Sequence, residues 1–177
     1  MSGVVEFVKG SARLVMSGGR AYKAWVAALL ALVAIGGTAY AHQMREGLIA
    51  TNMRDQVSWA FYIGNFTFLV GVAAAAVLLV IPAYVYQWKP IKEVAVLGEL
   101  LAVSALTMCL LFILVDMGRP DRFVHIMPLL GTPNWPRSLL AWDVIVLNGY
   151  LALNLAIPFY ILYSHYTGRR PEKRKYL

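Results

Sequence analysis

Two titratable side chains, His125 and Asp143, lie in a stretch dense in chain breakers, DMGRPDRFVHIMPLLGTPNWPRSLLAWDVIVLNGY, which runs from Asp116 to Tyr150. An imidazole exchanges protons near neutral pH, and a carboxylate set among apolar residues can take or orient a second proton. Tyr62, Phe66 and Trp135 are of the kind that stack on a planar ring, and Asn65 can hydrogen-bond to one. The chemistry these groups suit is proton transfer to and from a flat, largely apolar molecule.

The elements that must position them are membrane spans. Apolar residues make up 60% of the chain and charged residues 14%, and the mean hydropathy is +0.63. That composition excludes an ordinary soluble core with a water-exposed surface. Four long runs carry it: Ala24 to Ala41 and Gln56 to Trp88 without a charge, Val94 to Val115 interrupted only by Glu99, and Ser138 to Gly168 interrupted only by Asp143. Each is long enough to cross a hydrocarbon layer of ~30 Å as a helix. The expected fold is all-α and polytopic, a bundle of four transmembrane helices over residues 23–165, with spans near 24–42, 57–87, 93–117 and 137–164.

Around the bundle, residues 1–22 mix valines with Lys9 and Arg13 and are expected as an interfacial segment; residues 166–177 form a basic tail. The basic start, the first apolar run and Ala39-Tyr40-Ala41 imitate a signal peptide, but the run is long for one and is expected to stay as the first span. Breakers at Gly118, Pro120, Pro128, Gly131, Pro133 and Pro136 leave room between the last two spans for only a short re-entrant or interfacial helix carrying His125. Pro82 is expected to kink the second span, with Tyr84, Tyr86 and Trp88 as interfacial anchors, and Trp59 is expected in an aromatic belt at the other end.

The net charge of +7 is explained by orientation and calls for no nucleic acid. Lys9, Arg13, Arg20, Lys23, Lys89, Lys92, Arg169, Arg170, Lys173, Arg174 and Lys175 flank one side of the spans; Arg45, Arg54, Arg119, Arg122 and Arg137 fall on the other. The positive-inside bias then puts both termini in the cytoplasm and the breaker-rich connection outside. Counted from Ser138 and Ser58, Asp143 lies roughly 8 Å and Asn65 roughly 10 Å inside their helices, so they are expected to share a layer roofed by His125.

Glu99, Tyr150 and Asn154 are the remaining in-span polar groups to consider. Asp143, Tyr150 and Asn154 fall at i, i+7 and i+11 on one helical face, a stripe that either carries protons towards Glu99 or packs helices together. Asn65 is expected to need a partner from another helix, and Asp143 either pairs with Arg119, Arg122 or Arg137 or serves the site. A single cysteine, Cys109, gives no cluster for zinc or iron–sulfur, and no metal site is expected. Haem fits poorly, because His42, His125 and His165 offer no pair of in-helix axial ligands. A quinol fits: aromatics for its ring, lipid for its tail, and an imidazole and a carboxylate for its two hydroxyl protons.

The strings NMRDQVSWAFYIGNFTFLVGVAAAAVLLVIPAYVYQW, DMGRPDRFVHIMP and PRSLLAWDVIVLNGYLALNLAIPFYILY resemble the NrfD/PsrC family of quinone-interacting membrane subunits over roughly residues 45–165. Within it the chain is most similar to DsrP-like subunits of sulfite-reductase-associated complexes and to Hmc-type subunits, and only to their N-terminal four-helix part. The resemblance implies a subunit of the bacterial or archaeal cytoplasmic membrane that binds menaquinone or ubiquinone near the periplasmic face. It implies no haem or iron–sulfur cluster of its own, a periplasmic ferredoxin-like iron–sulfur partner, and other membrane subunits of a DsrMKJOP- or PsrABC-like complex. His125 and Asp143 match family positions implicated in quinone binding and protonation; Tyr62, Asn65, Phe66 and Trp135 are carried over as pocket lining. Two other classes compete with this reading: a structural anchor that only recruits redox partners, and a proton-conducting subunit built on Glu99 and Asn154.

Overall fold

The structure, a computed structural model, describes residues 2–57, 60–127, 130–132 and 134–168. Trp59, the side chains of Tyr84, Lys92 and Glu93, Pro128, Pro133 and the basic residues from Arg169 onward, all of which carry expectations from the sequence, lie outside the described part. The described residues are helical with no strand: α1 is Ser2–Met16, α2 Arg20–Glu46, α3 Phe61–Leu78, α4 Lys89–Asp116 and α5 Leu139–Tyr166. Four segments are long and apolar enough to cross a membrane: Arg20–Glu46, Phe61–Ala83, Val94–Asp116 and Leu139–Tyr166. The protein is an all-α, multi-pass membrane protein, as its apolar runs require.

The breaks between helices have local causes. Gly47 takes φ +83, a left-handed conformation open to glycine, and ends α2 before a short 3-10 helix, Leu48–Thr51. The backbones of Arg54 and Val57 then pair in both directions, at 3.3 and 2.8 Å, which delays the start of α3 to Phe61. Near Pro82 the chain lacks an N–H for the α ladder; α3 stops at Leu78 and a wide π-helical turn, Ile81–Val85, follows. There Tyr86 N–H donates to the Ile81 carbonyl at 3.3 Å and Trp88 N–H to the Pro82 carbonyl at 3.0 Å. The expected kink is therefore a change of helix type. Pro158, by contrast, is accommodated within α5.

The chain divides into two compact units, one of residues up to His42 together with those from Phe159 onward, the other Gln43–Pro158. The core of the second unit is built from α3, α4 and α5. Its buried centre is Ala73, Ala105, Leu106, Ile113 and Leu147, with Phe66, Leu69, Tyr150 and Leu151 packed against it. Along α4 the buried positions Ala95, Gly98, Glu99, Ala102, Ala105, Leu106, Cys109 and Ile113 recur at helical spacing, so one face of α4 is the bundle's interior. Small residues on that stripe let helices approach closely, the main source of packing energy where lipid replaces water. Cys109 belongs to it: the thiol is fully buried and donates to the Phe66 carbonyl at 3.6 Å.

Candidate functional site

Polar residues stand at the start of α3, at the end of α4 and near the start of α5, and hydrogen bonds join the first two of these. Tyr62 is the second residue of α3, and its hydroxyl donates to Gln43 Oε1 at 2.7 Å. Gln43 in turn donates through Nε2 to the Val115 carbonyl at 2.8 Å, in the last turn of α4. One amide thus ties three helices together, and it is buried, only 6% exposed. The Tyr62 ring also faces Phe112 of α4, with centroids 6.4 Å apart. Beside this junction one oxygen of Asp116, the last residue of α4, is buried without a hydrogen-bond partner among the described residues.

Sequence reasoning misses Gln43, because the expected first span, near 24–42, stops one residue before it. α2 in fact continues to Glu46 and carries Gln43 into the packed end. The signal available is the rule that an amide at the edge of an apolar span needs an interhelical partner. For Asn65 the same rule fails. Asn65 is half-buried and donates to the Phe61 carbonyl of its own helix at 2.7 Å, so the expected partner on another helix is corrected to a back-bond within α3. Asn148 and Asn154 do the same on α5, to the Val144 and Tyr150 carbonyls at 2.7 and 2.9 Å.

Asp143 is half-buried on α5, four residues after its start, and Asn65 stands four residues after the start of α3. At 1.5 Å per residue both carboxylate and amide lie about 6 Å inside their helices. Among the described residues Asp143 forms no ion pair with Arg119, Arg122 or Arg137, and no hydrogen bond joins it to His125. His125 is exposed on a 3-10 helix, Pro120–Ile126, that follows α4. Its backbone position is set by a tight turn: Leu130 and Gly131 N–H both donate to the Met127 carbonyl, at 3.2 and 2.9 Å. Gly131 passes so close that a Cβ there would overlap the His125 carbonyl, so only glycine fits.

The remaining predicted residues divide. Phe66 packs on the core beside Cys109. Trp135 is 45% exposed and lies against Trp142, centroids 3.8 Å apart, while Trp142 Nε1 donates to the Pro136 carbonyl at 3.0 Å. This tryptophan partner at the head of α5 has no counterpart in the sequence expectations. Tyr150 is half-buried against the core and Asn154 is buried, so the stripe they form with Asp143 faces the packing. Glu99 is 1% exposed, deep in the α4 stripe. No group of His, Cys, Asp and Glu able to hold a metal ion occurs among the described residues.

What these residues offer chemically is an accessible imidazole after α4, a half-buried carboxylate near the start of α5 and, one turn beyond Phe112, an Asp116 oxygen without a hydrogen-bond partner among the described residues. Acceptors of this type match the hydroxyls of an aromatic diol, and a metal is not needed to bind one.

The sequence signature described as polysulphide reductase, NrfD, matches residues 49–172, most of the chain. A dimethyl sulfoxide reductase membrane subunit from Halobacterium salinarum is 34% identical over 133 residues, covering 75% of this chain and 30% of its own length. A selenate reductase subunit from Mesobacillus selenatarsenatis is 26% identical over 142 residues, covering 80% of this chain and 32% of its own. The chain thus spans about a third of the length of these curated relatives. No solved structure matches.

Proposed function

This chain belongs to the NrfD polysulphide reductase family of reductase membrane subunits, and on that premise we propose that it binds a quinol at the helix mouth around His125 and Asp143. The observation that carries the proposal is Asp143, a half-buried carboxylate at the entrance of a membrane span without an ion pair among the described residues. Carboxylates placed within membrane spans are costly and serve function by default. A salt bridge would have given it a structural reason; none is made among the described residues.

A bound quinol, menaquinol or ubiquinol, supplies two electrons and two protons. His125 is exposed, and its imidazole takes one proton from the quinol. Asp143 accepts or orients the other, and the unbonded Asp116 oxygen at the end of α4 is a further candidate acceptor. Tyr62 is held by Gln43, so its ring is fixed as a wall while its hydroxyl is already used. Phe66 borders the same end, and Trp135 with Trp142 forms a separate aromatic pair at the head of α5. Electrons leave to an iron–sulfur centre of a partner subunit on the outer face, as the resemblance to quinone-interacting subunits implies, while the donor set here serves the protons. The bilayer itself and further membrane subunits of a reductase complex are the other partners. The chain lies, on this reading, in a bacterial or archaeal cytoplasmic membrane with both termini inside.

The test is Asp143→Asn in the assembled complex, with quinol-dependent reduction as readout and co-purification of the partner subunits as the control for assembly. Loss of a positioned acid–base group lowers turnover by about 10²-fold or more. Unchanged turnover with intact assembly would instead support a purely structural anchor.

A further inference from the structure

Helix α1 is pinned to the far end of α5 by one side chain. Phe7 meets Phe159, Tyr163 and Tyr166 with ring centroids 5.7, 5.6 and 5.3 Å away. Those three aromatics lie at i, i+4 and i+7 on one face of the last two turns of α5. One turn before Phe7, a Cβ on Gly3 would come within 3.3 Å of the Tyr163 hydroxyl, so the helices touch there as well. Beyond Phe7 the contact ends. Every position from Val8 to Met16 is exposed, with Leu14 at 77% and Met16 at 78%, so α1 leaves α5 instead of running along it.

The exposed part is strongly two-faced. Glu6, Lys9 and Arg13 recur at i, i+3 and i+7 and share one narrow face. On the opposite face Val4, Val8 and Val15 recur at i, i+4 and i+11, bare at 39%, 52% and 63%. Since α5 is a membrane span that ends at Tyr166, a helix anchored on its last two turns sits at the level where hydrocarbon gives way to headgroups. Only there can one face meet acyl chains while the other meets charge. Arg20 and Lys23, exposed at the start of α2, extend the basic set.

We propose that α1 lies in the plane of the membrane interface and binds the phosphates of anionic phospholipid headgroups through Lys9 and Arg13. The valine face supplies the apolar burial and Phe7 the fixed attachment. Lys9 and Arg13 supply the preference for anionic lipid, roughly fivefold for each basic residue and so roughly twenty-five fold for the pair. This surface is independent of the quinol site.

The full chain, reconstituted in nanodiscs of phosphatidylcholine alone or mixed with phosphatidylglycerol, carries a spin label at Val8→Cys or at Lys9→Cys; the native Cys109 is fully buried. In the mixed discs the label at position 8 should relax with dissolved oxygen and be shielded from a water-soluble paramagnetic agent, and the label at position 9 should do the reverse. The shielded population at position 8 should fall in phosphatidylcholine alone, and a Lys9→Gln/Arg13→Gln background should remove the difference between the two lipids. Three results overturn the proposal: equal water exposure at both positions, shielding of position 8 from both agents, which would mean a protein cover, and equal shielding in the two lipids before the basic residues are changed.

Discussion

Glu99 and Asp143 are the two carboxylates that interrupt otherwise uncharged apolar runs, and the fold treats them in opposite ways. Glu99 is fully enclosed in the packed stripe of α4, between Ala95 and Ala102, and is engaged by its surroundings. Asp143 is half-buried at the mouth of α5, where no ion pair holds it among the described residues. Asp143 keeps part of its surface open with every helix in place, whereas Glu99 keeps almost none. Packing around a charge, more than its depth along the span, separates a group available for exchange from one committed to the interior.

The largest effect expected from this contrast is on turnover. In the assembled complex Asp143→Asn should lower quinol-dependent reduction by about 10²-fold or more, and Glu99→Gln, measured beside it, should leave the rate at the level of the unaltered protein. An equal loss in both would move Glu99 into the working path and favour a proton-conducting role. On stability the order reverses. Removing the fully buried side chain in Glu99→Ala should cost about 2–5 kcal/mol, while Asp143→Ala should cost less than about 1 kcal/mol; thermal unfolding in detergent measures both. Gln43→Leu removes the acceptor of the Tyr62 hydroxyl and the donor to the Val115 carbonyl, and should cost about 1–3 kcal/mol. Tyr62→Phe removes one of those bonds and should cost about 0.5–1.5 kcal/mol. If Tyr62→Phe instead abolished turnover with stability intact, the tyrosine hydroxyl would belong to the chemistry and its bond to Gln43 would not be its purpose.

The four spans were legible in the sequence because hydrophobic length alone decides what can cross a bilayer, and Glu99 and Asp143 stood out as the charges that interrupt them. The short helix carrying His125 was legible from the breakers around it. What composition could not give was which face of each helix packs. Gln43 fell just outside the expected first span and instead bonds to both α3 and α4 from the end of α2. Asn65 looked like an interhelical contact and bonds back to Phe61, because an amide within a turn's reach of a carbonyl can satisfy itself without a second helix. The close pass of Gly131 over His125 and the pairing of Trp135 with Trp142 depend on how the connection folds back, which breaker spacing does not encode. Pro82 announced a break, but the local remedy, a π-helical turn, follows from which carbonyls the missing N–H leaves over.

The central claim is that a quinol binds where His125 and Asp143 stand. The direct measurement is photo-crosslinking of a quinone analogue, reactive in its head group, to the assembled complex, followed by peptide mapping. Adducts within Pro120–Ile126 and the first turns of α5, displaced by excess quinol and lost in Asp143→Asn, are the predicted result. Adducts confined to a partner subunit or to the opposite ends of the helices, with none in these two segments, would contradict it.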